Sequence, residues 1–154
     1  MQRHHHVIEN RQRRVRLPVS ALERFLVRVN RDLGLHAGSA FVRFVGDSEM
    51  KRLNRRFRKK AKTTDVLSFP WEKRTQPASL RRRAKQLRGA FLGDIAISPT
   101  VARRNAERFG RTTAEEVCIL MLHGFLHLLG YDHETDRGEM ERVEATLRRR
   151  LGLS

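Results

Sequence analysis

Three histidines, His123, His127 and His133, stand at the spacing His-x3-His-x2-Gly-x2-His. Residues four apart on a helix share a face, one turn above the other, so His123 and His127 would project side by side. Gly130 is suited to end that helix in a left-handed turn, after which the chain can double back and bring His133 toward the pair. Three imidazoles converging on one point, with a fourth position open, form the donor set of a reactive zinc site. A single histidine on an apolar helix is more simply a core residue bonded to a carbonyl. Two on one face each need a partner, and the third completes a ligand spacing. One zinc ion per chain, held by His123, His127 and His133, is therefore expected.

The same frame carries the long metalloprotease motif H-E-x-x-H-x-x-G-x-x-H, in which the glutamate is the general base. Here Gly124 occupies that position, so the metal frame is kept and the protease base is missing. Zinc held by three neutral imidazoles retains its double charge, lowers the pKa of bound water toward ~7 and polarises a phosphoryl oxygen. Phosphodiester chemistry also needs positive charge where the pentacoordinate phosphorus gathers negative charge, a task suited to the forked donors of arginine. Composition alone does not choose among the many arginines. Asp94, Asp132 and Glu134 are candidates to orient a ligand imidazole or carry a proton, each with a plainer reading as a cap, turn or surface carboxylate. Asp94 or Cys118 as a fourth ligand would instead indicate a closed, structural site.

The element that must position the histidines is apolar nearly all round from Ile119 to Leu129, interrupted only by His123, Gly124 and His127. That pattern predicts a buried central helix, too short to span a bilayer. Thr112-x-x-Glu115 and Thr113-x-x-Glu116 both match a capping box at its start. Earlier, Val7-Ile8 and Val15-Arg16-Leu17 read as short strands, and Pro18 suits the first turn of a helix with Leu22, Phe25, Leu26, Val29 and Leu33 inward and Gly34 as its stop. Residues 40–45 form a buried strand, and Asp47 or Ser48 caps a helix whose inner face is Met50, Leu53 and Phe57. Residues 66–71 form a strand that Pro70 places at an edge, and residues 91–97 form the last one. Ser98-Pro99 opens a helix running to Phe109, and Met140, Val143, Leu147 and Leu151 mark a terminal one. The predicted fold is α+β: a small mixed sheet of about four strands packed with about five helices around the HxxxH helix, in a single domain over residues 1–154.

Charge narrows the partner. The 154 residues hold 33 Lys+Arg against 17 Asp+Glu, a net +16, which points to a polyanion and to nucleic acid before membrane. Eight of the twelve residues from Lys51 to Lys62 are basic and none is acidic, a run that suits contact with phosphates. Residues 73–90 read as an irregular basic surface insertion with one short helix around Leu80, Ala84 and Leu87. Cys118, the one cysteine, sits among apolar residues and reads as an inert core thiol. With no apolar leader, no segment of membrane-spanning length and no disulfide, a cytoplasmic setting is the default. The tract His4–His6 is given no role.

Taken together, Leu53-Asn54-Arg55-Arg56-Phe57-Arg58, Thr64-Asp65-Val66-Leu67-Ser68-Phe69-Pro70, Leu92-Gly93-Asp94-Ile95 and the segment from His123 to Gly130-Tyr131-Asp132-His133 resemble the YbeY family, in order over about residues 40–150. The resemblance implies a zinc-dependent, single-strand-specific endoribonuclease acting in ribosomal RNA maturation, at the 3′ end of the 16S RNA, and in small-subunit quality control. It implies His123, His127 and His133 as metal ligands, with His123 and Arg58 in the catalytic site and Arg58 facing the metal. Single-stranded or ribosomal RNA and the small ribosomal subunit are the implied partners. The other reading kept open is a non-catalytic, zinc-containing RNA-binding assembly factor. The insertion at 73–90 is longer and more basic than the family pattern suggests.

Overall fold

Side chains that alternate along the strands divide the molecule into two unequal layers. The computed structural model describes residues 7–36, 38–58, 64–74, 79–132, 134 and 136–153, with Arg58 described by its backbone alone. Four strands, β1 (Ile8–Asn10), β2 (Ala40–Phe44), β3 (Val66–Pro70) and β4 (Gly93–Ile97), form one mixed sheet in the order β1-β2-β4-β3. β1, β2 and β4 run parallel, and β3 lies antiparallel at the edge beside β4. Six helices are found among the described residues, one more than the expected number: α1 (Val19–Leu33), α2 (Asp47–Arg58), α3 (Leu80–Gln86), α4 (Pro99–Phe109), α5 (Thr113–Leu128) and α6 (Glu139–Arg150). The α+β class holds.

One face of the sheet, with Val42, Phe44, Ile95 and Ile97, joins α1 and α5 in the main core. The other turns Leu67 and Ala96 toward Met50, Leu53 and Phe69 under α2. This is the two-residue period of a pleated strand buried on both sides. α5 packs against β3, β4, α1, α4 and α6, which is why its sequence is apolar almost all round. Its start is set by the Thr112–Glu115 box, with both reciprocal bonds made. Glu116 has a different partner: it is buried and pairs with Arg111 at 2.9 Å, so the alternative box from Thr113 does not form.

Four local expectations are corrected. Residues 15–17 are not a strand, because the Gln12 side chain takes both backbone groups of Val15: Oε1 accepts its N–H and Nε2 donates to its carbonyl, each at 2.9 Å. Pro18 stands before α1 rather than within it, its carbonyl accepting the Leu22 N–H at 3.0 Å. Asp47 is the first residue of α2 and its carboxylate accepts from the Thr100 hydroxyl of α4, tying two helix starts together. Phe57 is 56% exposed rather than inward. The basic segment 73–90 is also less irregular than expected over its described part. Ser79 caps α3 by accepting the Arg82 N–H, and Ala84 is buried against the core beside α1. The tract His4–His6, residues 59–63, residues 75–78 and His133 lie outside the described residues.

Candidate metal centre

The two histidines of α5 meet as the four-residue spacing requires. Their Nε2 atoms are 3.1 Å apart and their ring centroids 4.7 Å. Two nitrogens bound tetrahedrally to one zinc at ordinary Zn–N distances lie about 3.3 Å apart, so this pair fits a single ion. His123 Nδ1 lies 3.0 Å from Glu144 Oε1 on α6. An ionised carboxylate can only accept, so this bond puts the proton on Nδ1 and leaves the Nε2 lone pair to face the cleft. Both partners are largely covered, His123 25% and Glu144 18% exposed at the side chain, which protects the bond from competing water.

Glu144 was not among the orienting carboxylates expected from the sequence. The signal was present: it lies four residues after Met140 and three before Leu147, a charged residue on the inner stripe of an amphipathic helix. The three carboxylates that were expected do other things. Asp94 turns to the opposite face of β4 from Ile95 and pairs with Arg43 at 3.5 Å, so it is not brought to the histidines. Asp132 lines the cleft and accepts the Glu134 N–H at 3.0 Å, closing the turn that follows α5. Glu134 lines the cleft as well.

Cys118 is half-buried on α5. Burial pushes its thiol up to about 12, with Glu115 adding to the shift and Arg28 opposing it, which suppresses the thiolate. Among the described residues no group of three or more His, Cys, Asp or Glu assembles; the third expected ligand, His133, lies outside them.

Gly124 answers why the protease base is missing. A Cβ at this position would lie 2.9 Å from Ile95 Cγ2 and 3.0 Å from its Cδ1, because α5 presses directly on β4 here. A side chain at 124 would enter the sheet and not the cleft. The Gly124 carbonyl also accepts a hydrogen bond from Ser68 Oγ of β3 at 3.2 Å, holding the edge strand against the histidine helix.

Between β3 and the histidines runs an open cleft of about 520 Å³. Residues 64–70 form one wall, and His123, His127 and the turn at 130–132 form the other. Phe57, lying edge-on to Phe69 with centroids 4.7 Å apart, and Arg74 also line it. Tyr131 lies at the base, its phenol pushed up by burial against the opposing pull of Arg83 on α3. Arg58 ends α2 immediately after the cleft-lining Phe57, and its side chain lies outside the described residues. Lys51, Arg52, Arg55 and Arg56 are exposed along α2, so the described part of the basic run is a solvent-facing cationic surface leading to the cleft.

Comparison with known proteins points one way. The family model described as endoribonuclease YbeY matches residues 7–152. A protein of Solibacter usitatus named endoribonuclease YbeY is 46% identical over 134 residues, covering 86% of this chain and 79% of that protein. A Sulfurovum protein of the same name is 36% identical over 152 residues, 97% of this chain and 93% of its own. A solution structure of a Thermotoga maritima protein superposes with a TM-score of 0.57 at 25% identity, over 94% of this chain and 88% of that one.

Proposed function

Because the chain belongs to the endoribonuclease YbeY family, we propose that its histidine cleft cleaves single-stranded RNA with one zinc ion per chain. The observation that carries this reading is the Nε2 pair of His123 and His127, 3.1 Å apart, with Glu144 fixing the far nitrogen of His123 in a cleft beside the exposed basic face of α2. His133 is the proposed third ligand, brought in from the turn after Gly130. The further reading is that the substrate is ribosomal RNA, matured in the cytoplasm on the small ribosomal subunit. The net charge of +16 supports a large polyanionic partner, and no helix among the described residues is long and apolar enough to cross a membrane.

Bound zinc would supply a Lewis acid for a phosphoryl oxygen and a water of lowered pKa. The chain's own groups supply the rest. His123 and His127 bring their Nε2 atoms within 3.1 Å of each other, and Glu144 keeps the His123 ring from turning. Arg58 would neutralise charge gathering at the phosphorus, which is the largest single contribution such a site can make. Asp132 and Glu134, which line the cleft, would receive a proton from the attacking group.

Two measurements bear on this reading. Protein stripped with a chelator should lose cleavage of a labelled single-stranded RNA and regain it with zinc, while a duplex of the same sequence stays intact. Cleavage that survives complete metal removal would refute metal dependence. Glu144→Gln should weaken zinc binding about 10- to 100-fold, read by competition with a chromogenic chelator, because the amide no longer holds the ring as an anion does. Wild-type affinity in that variant would show that Glu144 does not position His123.

A further inference from the structure

Outside the cleft, one group of side chains has no part in the fold. Trp71 is 71% exposed and Phe91 39%, and their rings meet edge to face with centroids 5.9 Å apart at an interplanar angle of 71°. Two large aromatic faces left in contact with water at one place are the kind of surface that interaction sites use. Their backbones are tied together. The Trp71 N–H donates to the Leu92 carbonyl at 2.8 Å, one step beyond the end of β3, and Phe91 precedes that same residue. The Arg74 guanidinium, which lines the cleft, reaches the Glu72 carbonyl at 3.3 Å and the Leu92 carbonyl at 3.5 Å. The aromatic pair and the cleft arginine thus converge on one backbone carbonyl, placing the pair at the Pro70–Arg74 end of the cleft.

We propose that Trp71 and Phe91 form a base-stacking subsite that receives an unpaired nucleobase of a single-stranded RNA whose backbone passes through the histidine cleft. The inference rests on the RNA-cleaving reading of that cleft. Charge selects the occupant: the neighbouring segment carries Arg81, Arg82, Lys85 and Arg88, all exposed, which favours a polyanion over an apolar protein face. Every base offers a π-face, so such a platform binds without reading sequence, and it works only on bases not already stacked in a duplex. The subsite therefore contributes a preference for single strands that the metal centre cannot supply.

Trp71 is the only tryptophan in the chain, so intrinsic tryptophan fluorescence reports this ring alone. The full-length protein is titrated with a labelled single-stranded 2′-O-methyl oligoadenylate, with an abasic strand of equal length, and with a duplex. Fluorescence should be quenched saturably by the first only. Trp71→Ala should raise the Kd of the oligoadenylate, followed by anisotropy, about 5- to 150-fold, and Trp71→Phe should restore most of the loss. For a cleavable strand the change should fall on KM with kcat nearly unaltered. Tight binding of the oligoadenylate with unmoved fluorescence and an unchanged Kd in Trp71→Ala would overturn the subsite and leave the cleft reading intact. Equal quenching by the abasic strand would overturn stacking as its basis. Absence of binding by any strand would overturn both.

Discussion

Arg58→Ala should lower cleavage of single-stranded RNA by about 100- to 1000-fold while zinc content stays at the wild-type level. The size of the effect follows from what the residue would do. Charge builds on the phosphoryl oxygens only as the transition state forms, so a preorganised cation opposite the metal lowers the barrier without tightening metal binding. The backbone is consistent with that role: α2 ends at Arg58, directly after Phe57, which lines the cleft facing the histidines. Arg58→Lys should recover only part of the rate, because an ammonium keeps the charge and loses the planar fork. Single-turnover cleavage with zinc analysis of the same samples decides it. Full activity in the alanine variant would remove Arg58 from the mechanism, and loss of zinc would show that its role is structural.

Gly93→Ala should destabilise the protein where β3, β4 and the histidine helix meet. Gly93 opens β4 opposite Pro70 with a φ of 145°, a conformation that residues with a Cβ rarely adopt. An added Cβ would overlap the Phe69 carbonyl oxygen and lie 3.0 Å from both Pro70 Cα and Leu128 Cδ2. Two of those neighbours are backbone of the edge strand and cannot swing aside. Backbone strain and overpacking each cost about 1–3 kcal/mol, so a loss of roughly 3–4 kcal/mol is expected, a fall in Tm of roughly 10 °C for a chain of this size. Denaturant unfolding would read the same loss as a lower midpoint at unchanged slope. A Tm within about 2 °C of wild type would mean that β3 relaxes at little cost and that the close approach is not fixed.

How far the residues themselves announced this arrangement depends on the range of the signal. The HxxxH pair was legible because its spacing and its helix are local, and both histidines stand where helical geometry puts them. The caps of α4 and α5 were legible for the same reason, since Ser98 and Thr112 act within three residues. Glu144 was missed because its partner is 21 residues away: its place on the inner stripe of α6 marks it as unusual without naming the histidine it meets. Val15–Leu17 looked like a strand until the Gln12 side chain took its backbone groups, a competition that propensity does not register. The insertion of β4 between β2 and β3 is likewise a property of pairing across the chain. Gly124 read as a missing base, and only the contact with Ile95 shows that an added Cβ would press into the sheet there.

The most direct test of the central claim compares wild type with His127→Ala, purified identically, for zinc content and for cleavage of one labelled single-stranded RNA. About one zinc per chain and cutting are expected in the wild type, with both lost in the variant. Cutting that persists in zinc-free His127→Ala would contradict it, as would zinc-loaded wild type that cuts neither naked RNA nor RNA within the small ribosomal subunit. The second result would favour an assembly factor that binds RNA without cleaving it.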